Sequence, residues 1–312
     1  MDISNYYKAA EIHKKIRNEL DTIVDENISL SDICSFIENK IKLYSDKNEI
    51  NSGIAFPVGL SLNNIAAHST PMKNGNIYLK KSDVLKIDFG VHVGGCIIDS
   101  AYTWTGDNTY KPLLDASCEA VDTVIKSIGV GTTISDIGAI SEEIVNSYEI
   151  ETNGVLKPIK TIENLCGHSI LPWKIHGGKL IQNVRNNDST KIEENDILAI
   201  EVFTSTGNGT TVLGTPNTHF MFRDSSRTVS RRSEELLSTI KDKFRTLPFT
   251  QRYIEPHTTI KYYDVCLNEL YHKGYLSRHP PLIETDIKCK TAQFEHTIYV
   301  SDSQVINLSS VS

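Results

Sequence analysis

Apolar side chains at the start of the chain recur at the spacing of an amphipathic helix. Within residues 4–22, the apolar positions with this spacing are Tyr7, Ala10, Ile12, Ile16 and Leu20. The segment that follows repeats the pattern with Leu30, Ile33, Phe36, Ile37 and Ile41. Ser31 is the predicted N-cap of this second segment. The pattern therefore predicts two consecutive helices near the beginning of the sequence.

The pattern then changes to a strand-rich stretch from Ile54 to Thr105, followed by two helices over about 112–128 and 135–149. Residues 230–275 are helical again, and their apolar positions form two faces: Leu236, Leu237, Ile240 and Phe244 on the first, and Tyr263, Val265, Cys266, Leu267, Leu270 and Tyr271 on the second. Gly274 is the predicted C-cap of the second of these helices. After Pro280 and Pro281, residues 291–300 are predicted to form a strand.

Two short sequences occur twice in the chain. The stretch 30–33 (LSDI) resembles 134–137 (ISDI), and the stretch 83–88 (DVLKID) resembles 196–201 (DILAIE). In the second pair a polar entry precedes an apolar strand that ends on a carboxylate, Asp88 or Glu201. The repetition favours two related halves, each built from two helices and then strands. Chance similarity of short strand entries is the alternative.

A hairpin is predicted around the turn Gly94-Gly95, because apolar strands flank this glycine pair. A two-residue turn places Val93 opposite Cys96 and Gly90 opposite Asp99. Since side chains alternate with period two, Asp88 and Asp99 are then diagonal neighbours on one face. Two carboxylates held this close repel each other unless a cation lies between them. A divalent metal pair is one explanation, and one exposed plus one salt-bridged aspartate is the other.

Two more carboxylates and two histidines join the candidates. Glu201 ends the apolar strand 197–200 and Glu295 lies within the strand-like segment 294–298, where an unpartnered Glu is rarely buried. His168 and His176 could add ligands, although a single His is more often structural or exposed. Two Asp, two Glu and one His form a mostly oxygen-rich set, which suits Mn²⁺, Fe²⁺, Co²⁺ or Zn²⁺. Such a two-metal site can activate a water molecule.

Composition limits the function further. The chain has 312 residues and a formal net charge of −7, which argues against nucleic-acid binding and against a polybasic membrane anchor. The first twenty residues contain no apolar signal segment, and no apolar run is long enough to span a bilayer. The six cysteines are scattered singly, which favours free thiols and a reducing, cytoplasmic location.

The ordered motifs resemble those of type 2 methionine aminopeptidases, members of the M24 metallopeptidase family. The segment 56–63 (FPVGLSLN), followed by Ala66-Ala67-His68, is similar to the strand that carries the family's substrate-pocket histidine. Five further segments resemble the metal-ligand motifs, in order: 86–90 (KIDFG), 98–101 (IDSA), 167–170 (GHSI), 199–201 (AIE) and 293–297 (QFEHT). The resemblance extends from about residue 4 to residue 300.

This resemblance implies an α/β (α+β) pita-bread, or creatinase/aminopeptidase, fold with two pseudo-twofold halves. It also implies that residues 1–220 and 280–312 form the catalytic domain. Residues 221–279 would then be the helical, winged-helix-like insertion subdomain of type 2 enzymes. Two divalent metal ions (Co²⁺, Mn²⁺, Fe²⁺ or Zn²⁺) would lie between the halves.

The resemblance also implies residue roles. Asp88 would bind one metal, Asp99 and Glu295 would bridge both, and His168 and Glu201 would bind the second. Glu201 would also carry a proton to the leaving amine. The catalytic set would add two histidines that contact the substrate and stabilise the tetrahedral intermediate, His68 and His176. The substrate pocket would be lined by Phe56, Leu165, Ile175, His219, His279 and Leu282.

The implied activity is removal of the initiator methionine from nascent proteins when the next residue is small, through a hydroxide that bridges two metals. Substrates would be N-terminal Met peptides, with the ribosome as a candidate partner, no nucleic acid or membrane partner, and a monomeric chain. Cys166 and His279 depart from the type 2 pattern, which has Asn and commonly Tyr there, so fine substrate preference stays open.

Two alternatives use the same fold. A non-catalytic relative that binds RNA or ribosomes would have lost metal ligands, whereas all five are present here. A prolidase or aminopeptidase P would carry an additional N-terminal domain, and only about fifty residues precede Ile54.

Overall fold

The computed structural model describes residues 3–72, 76–152 and 154–311, and seven α-helices lie within these ranges. They are α1 (Ser4–Leu20), α2 (Leu30–Tyr44), α3 (Lys111–Ser127), α4 (Ile134–Asn146), α5 (Arg231–Phe244), α6 (Gln251–Ile254) and α7 (Tyr263–His272). Short 3₁₀ turns cover Asn108–Tyr110 and Glu255–His257. The helices predicted over residues 4–22, 112–128 and 135–149 are confirmed as α1, α3 and α4.

The strands of the described chain, in order, are β1 (Ser52–Ile54), β2 (Gly59–Leu62), β3 (Ile65–Ala67), β4 (Val84–Val93), β5 (Cys96–Thr105), β6 (Glu149–Thr152), β7 (Val155–Pro158), β8 (Lys160–Thr161), β9 (Cys166–Ser169), β10 (Leu180–Gln182), β11 (Ile197–Ser205), β12 (Thr211–Leu213), β13 (His219–Phe222), β14 (Leu276–His279), β15 (Leu282–Glu284), β16 (Thr291–Val300) and β17 (Val305–Asn307). The strand predicted over residues 291–300 is confirmed as β16.

The first sheet is built around β4, which pairs with β5 on one edge and with β1 and β2 on the other. Its hairpin has the predicted register, with Val93 opposite Cys96 and Gly90 opposite Asp99. Helices α1 and α2 cover the sheet, and their apolar faces share one core with β4 and β5. On α1 the buried face differs from the prediction, because Tyr6 is buried and Tyr7 is 42% exposed.

The N-cap of α2 also differs from the prediction. Ser29, not Ser31, caps the helix, because the Ser29 side chain accepts a hydrogen bond from the Asp32 backbone N–H. Thr133 caps α4 in the same way by accepting from Asp136 N–H. A side-chain oxygen at the N-cap reaches the N–H three residues later, so a helix that starts at Leu30 needs the preceding residue as its cap.

The second sheet has the order β10, β9, β11, β16, β17, and β8 also pairs with β11. Helices α3 and α4 pack on it over a separate apolar core. The two predicted repeats occupy equivalent places, since 30–33 and 134–137 each open the second helix of a half, and residues 83–88 and 196–201 each run into a central strand. The repetition therefore reflects two similar halves.

Side chains of β5 and β16 join the two sheets where backbone pairing stops. The Thr297 hydroxyl donates to the Asp99 carbonyl (2.6 Å) and accepts from the Asp99 N–H (2.8 Å). Ser100 Oγ donates to the Glu295 carbonyl at 2.7 Å. Because these bonds fix β5 against β16, they place Asp99 beside Glu295 although 196 positions separate the two residues.

Helices α5, α6 and α7 pack around an apolar cluster of their own. This cluster also includes Phe220 and Leu276 from the antiparallel strand pair β13 and β14, which the three helices connect along the chain. On α7 the predicted face is partly wrong, because Val265 is 63% exposed whereas Cys266, Leu267 and Leu270 are buried. The helix ends at His272 and its C-cap is Lys273, one residue before the predicted Gly274, which follows with a positive φ of 81°. No helix of the described chain is long and apolar enough to cross a membrane.

Candidate metal centre and substrate cavity

Four carboxylates and one imidazole converge where the two sheets meet. Asp88 and Asp99 come from β4 and β5, Glu201 from β11, Glu295 from β16 and His168 from β9. The five predicted metal ligands therefore lie together. Glu201 and Glu295 face each other directly, because they are partners in the register of β11 and β16.

Close backbone contacts bring the strands into position. A Cβ on Gly167 would lie 2.3 Å from the Ala199 carbonyl oxygen, so only glycine allows β9 to approach β11 this closely. The next residue, His168, is thereby held opposite Ala199 in the sheet. On the other side, a Cβ on Gly90 would lie 2.2 Å from the ring of Phe56.

The ligand atoms fall into two groups that share Glu295. One group contains Asp99, His168 and Glu295, the other contains Asp88, Glu201 and Glu295, and within each group one atom per residue lies within 4.8 Å of the others. This grouping places Glu201 with Asp88, whereas the predicted assignment pairs Glu201 with His168. The assignment of individual ligands stays a prediction.

Burial makes these carboxylates costly to ionise. Burial raises the pKa of Asp88 to about 7, although a hydrogen bond from Gln293 opposes the shift. Burial and the charge of Asp88 raise the pKa of Glu201 well above its usual range. Burial and the charges of Asp99, Glu201 and Asp88 raise the pKa of Glu295 well above its usual range. Without a cation, the cluster can reduce its charge only by binding protons.

The pattern of hydrogen bonds fits a cation. While Asp99 is ionised, neither carboxylate oxygen of Glu295, nor Oδ1 of Asp88, meets a hydrogen-bond donor among the described residues, although all three atoms are buried; a protonated Asp99 could donate to Glu295. Buried carboxylate oxygens without donors are expensive unless they coordinate a metal. Four carboxylates and one imidazole also match the ligand preference of Mn²⁺, Fe²⁺, Co²⁺ and Zn²⁺. The donor set therefore fits a pair of divalent ions.

His168 offers its Nε2 to this cluster. The ring is uncharged, because burial, with a smaller effect from His176, lowers its pKa to about 3. Nδ1 lies 3.4 Å from the Ser169 carbonyl, which can only accept, so Nδ1 carries the proton. Nε2 is left with a lone pair, 3.5 Å from Asp99 Oδ2. This is the tautomer that a metal ligand requires.

Gln293 is a site residue that the sequence analysis missed. Its Nε2 donates to Glu201 Oε1 at 2.6 Å and lies 3.4 Å from Asp88 Oδ2. The amide thus connects two carboxylates from different halves of the fold. Period-two alternation could have indicated it, because Gln293, Glu295 and Thr297 share one face of β16.

A cavity of about 360 Å³ opens over the carboxylates. Its lining includes all the remaining predicted site residues: Phe56, His68, Leu165, Ile175, His176, His219, His279 and Leu282. Phe203, Met221 and Pro248 also line it, and these three were not predicted. Most of the wall is apolar, so the cavity suits a ligand with an apolar side chain whose polar groups face the carboxylates.

Four histidines stand around the mouth of this cavity. The rings of His68 and His219 lie 5.8 Å apart, those of His68 and His279 6.2 Å, and those of His176 and His279 6.3 Å. Burial lowers the pKa of both His68 and His279 to about 4, and nearby histidines add to the shift. The rings are therefore uncharged at neutral pH.

Cys166 and His279, which depart from the resembled pattern, both line the cavity. Burial, with a contribution from Glu201, raises the pKa of the Cys166 thiol to about 11, so this thiol stays protonated. The His279 ring lies 3.0 Å from the Ser277 hydroxyl through Nε2. Both residues belong to the cavity wall rather than to the two ligand groups.

Comparison with known proteins places this site in a family context. The sequence profile of metallopeptidase family M24 matches residues 4–302. The chain is 41% identical over 298 residues to methionine aminopeptidase 2 of Clavispora lusitaniae, and the aligned part covers 94% of this chain and 68% of that protein.

Solved structures show the same architecture. The structure of a thermophilic Arx1 superposes with a TM-score of 0.80 at 17% identity, covering 98% of this chain and 90% of that one. Methionine aminopeptidase from Thermotoga maritima superposes with a TM-score of 0.67 at 17% identity, covering 99% and 96%. At identities this low, the similarity bears on the fold alone. The superpositions confirm the predicted fold class.

Proposed function

The chain belongs to metallopeptidase family M24, and from this premise we propose that it is a methionyl aminopeptidase that removes N-terminal methionine from peptides and new proteins. The carrying observation is the cluster of four carboxylates, two buried and two half-buried, and one neutral imidazole at the floor of an apolar cavity. Peptidase chemistry needs an activated water and a polarised carbonyl at one place, and this floor has the ligands for both.

Two divalent metal ions would be held by Asp88, Asp99, His168, Glu201 and Glu295; when bound, they supply Lewis acidity and lower the pKa of water. The protein would contribute proton transfer through Glu201. Its Oε1 accepts from Gln293 at 2.6 Å, so the other oxygen, Oε2, is the one free to take and return a proton.

The apolar wall would bind the methionine side chain. Phe56, Leu165, Ile175 and Leu282 surround a space open at one end, and an unbranched thioether fills such a space without strain. The free amine of the substrate would lie toward the carboxylates. The rest of the peptide continues from the carbonyl of this methionine and would leave the cavity past the histidines, where a small second residue would fit best.

His68 and His176 would orient the substrate at the cavity mouth. The Pro280 carbonyl favours a proton on His68, although burial lowers the pKa of the ring overall to about 4. Since a carbonyl only accepts, the single N–H of His68 points to Pro280 and the other ring nitrogen can accept from a substrate N–H. Partial desolvation in the cavity also lowers the pKa of His176, although the residue is exposed to solvent on its outer side.

The division of the chain follows from the same proposal. Residues 1–220 and 280–312 would form the catalytic domain, and residues 221–279 the insertion subdomain. The separate apolar cluster around α5, α6 and α7 supports this division. Because Met221 and Pro248 line the substrate cavity, the subdomain would also close one side of the pocket.

We also propose a cytoplasmic location, with action on chains as they leave the ribosome. None of the six cysteines, all of which lie in the described ranges, takes part in a disulfide, which supports a reducing compartment. An enzyme that acts on initiator methionine needs access to new N-termini, and that need supports an encounter near the ribosome. Cosedimentation of the full chain with translating ribosomes, compared with empty ones, tests the second point.

The activity test uses three tripeptides. Metal-stripped protein is titrated with Mn²⁺, Co²⁺ and Fe²⁺ and then assayed on Met-Ala-Ser, Leu-Ala-Ser and Pro-Ala-Ser. We expect metal-dependent release of methionine and little release of leucine or proline. Release of proline would indicate a different M24 peptidase. No release with any metal, from protein shown to be folded, would reject the enzymatic proposal and favour a non-catalytic binding role.

A further inference from the structure

One polar side chain lies in the core directly behind the metal-binding hairpin. His13 is only 1% exposed, on a face of α1 that otherwise consists of Tyr6, Ala9, Ala10, Ile16 and Leu20. A buried histidine among apolar residues is costly unless it makes specific hydrogen bonds. Its position on the helix therefore needs a physical reason.

The ring of His13 lies flat on the ring of Phe89, with centroids 4.1 Å apart and 12° between the planes. Its Nε2 lies 3.1 Å from the Phe89 carbonyl oxygen. A carbonyl can only accept, so Nε2 carries the proton and donates it. Nδ1 has no hydrogen-bond partner in the described part of the chain.

The ring is uncharged, which leaves it with this single N–H. Burial lowers the pKa of His13 to about 3, against the opposing effect of the Phe89 carbonyl; His296 and Arg17 lower it further. The Ser100 carbonyl also lies close to the ring, and like the Phe89 carbonyl it favours the protonated form and opposes this lowering of the pKa. Helix α1 therefore contacts the backbone of β4 and β5 through one side chain.

Phe89 and Ser100 occupy a special place in the hairpin. They are partners in the register, and each directly follows a predicted metal ligand, Asp88 or Asp99. Because side chains alternate along a strand, the Phe89 ring and the two aspartates point to opposite faces. His13 thus contacts the face of the β4–β5 hairpin opposite to the face that carries the side chains of Asp88 and Asp99.

We propose that His13 is a positioning residue for the metal site: its hydrogen bond to the Phe89 carbonyl fixes the hairpin so that Asp88 and Asp99 are held at metal-binding separation. The inference rests on the proposed function, since it assumes that the carboxylates bind metal. Groups that orient ligands from behind typically change metal affinity by about 10–100-fold when they are removed. His13 acts one step behind the ligands, so we expect a loss near tenfold.

The experiment measures Mn²⁺ binding by isothermal titration calorimetry on full-length, metal-stripped protein. In His13→Phe the stacking on Phe89 remains and the donor is lost, so we expect binding about tenfold weaker than in the wild type. In His13→Gln the side chain can still donate from a similar distance, so affinity should return to within about threefold. In His13→Asn the donor no longer reaches, and affinity should match that of His13→Phe.

His92→Phe is the matched control. His92 lies on β4, the strand that carries Asp88, and is similarly buried at 2% exposed. It contacts the Glu49 backbone rather than the paired residues Phe89 and Ser100. This variant should bind Mn²⁺ like the wild type. Electron paramagnetic resonance of bound Mn²⁺ gives a second readout, since displaced carboxylates would alter the signal of the metal pair.

The outcomes separate this inference from the proposed function. Absence of Mn²⁺ binding in the wild type would reject the metal assignment itself. Wild-type affinity in His13→Phe would overturn the role of His13 and leave the metal site intact. Equal weakening in His13→Phe and His92→Phe would also overturn it, because the effect would then be general loss of packing. If His13→Phe does not fold, the comparison of His13→Gln with His13→Asn decides.

Discussion

Replacing Glu295 by Gln should have opposite effects on stability with and without metal. Glu295 belongs to both ligand groups, is 1% exposed, and its two carboxylate oxygens meet no donor among the described residues while Asp99 is ionised. Gln has nearly the same shape and no charge. The variant therefore removes one charge from a crowded cluster and leaves the packing in place.

The magnitude follows from the separations. Ligand atoms within each group lie no more than 4.8 Å apart, and two unit charges at that distance repel by about 3 kcal/mol at an effective dielectric constant of 20. Part of this repulsion is already relieved by protonation, because the pKa of Glu295 is raised. In EDTA we expect the variant to be more stable than the wild type by about 1–3 kcal/mol.

Metal should reverse the order. A ligand at a hundred times its Kd stabilises the folded state by about 2.7 kcal/mol, and the variant loses the carboxylate that both ligand groups share. We expect the wild type to gain about this much in Mn²⁺ and the variant to gain little. Activity on Met-Ala-Ser should fall by about a thousandfold or more, equivalent to about 4 kcal/mol of transition-state stabilisation.

Urea unfolding followed by circular dichroism, in EDTA and in Mn²⁺, measures the stability of both proteins. Glu284→Gln is the control, because Glu284 is equally buried but its carboxylate accepts hydrogen bonds from Ser205 Oγ and from the Asn208 and Asp286 N–H groups. The reasoning would be refuted if Glu295→Gln were less stable than the wild type in EDTA, or if its activity stayed within a few-fold.

Three further predictions concern other parts of the molecule. Burial alone would raise the pKa of Glu284, but its hydrogen bonds lower this pKa below the usual value. The ionised carboxylate therefore stabilises the fold above the unfolded pKa of about 4.3, and this stabilisation is lost as the pH falls through the folded pKa. We therefore expect Glu284→Gln to be less stable than the wild type at pH 7 by about 1.5–3 kcal/mol, and urea unfolding should show this difference shrinking below about pH 4; a constant difference would contradict it. Gly90→Ala should raise KM for Met-Ala-Ser about tenfold, because the new Cβ would lie 2.2 Å from the Phe56 ring, whereas Gly129→Ala, which has nothing within 4 Å, should leave KM unchanged in the same assay. A peptide that begins Met-Asp should release methionine far more slowly than Met-Ala-Ser in the same assay because Asp is not small; equal rates of release would count against the small-residue rule.

The local pattern of the sequence determined the elements and the hairpin. Glycines at the turn and strict alternation along β4 and β5 set the register that places Asp88 and Asp99 diagonally, and the structure has this register. The two-residue turn fixes this register, because β4 is buried on both faces and its apolar side chains do not by themselves select one. The internal repeat was also recognisable in the sequence, because the second helix and the central strand begin in a similar way in each half.

The sequence was less informative where two patterns fit equally well. Ser29 and Ser31 can both cap a helix, and which of them does so depends on where the first turn starts. The buried face of α1 differs from the predicted one because it includes a polar residue. His13 occupies a core position although a histidine is not counted among the apolar residues. Periodicity counts only apolar residues, so it cannot identify a polar side chain whose partner is a distant backbone carbonyl.

Only the tertiary structure decided how the two halves meet. The bonds between Thr297 and Asp99 and between Ser100 and the Glu295 carbonyl span almost two hundred residues of sequence. The position of Gln293 between Glu201 and Asp88 depends on the same contact between β5 and β16. Local spacing reports which side of a strand a residue occupies, but not which other strand lies opposite. The residues that form the site were therefore indicated by the sequence, whereas their separations and grouping, and the size of the cavity, followed from contacts that form only when both halves are folded together.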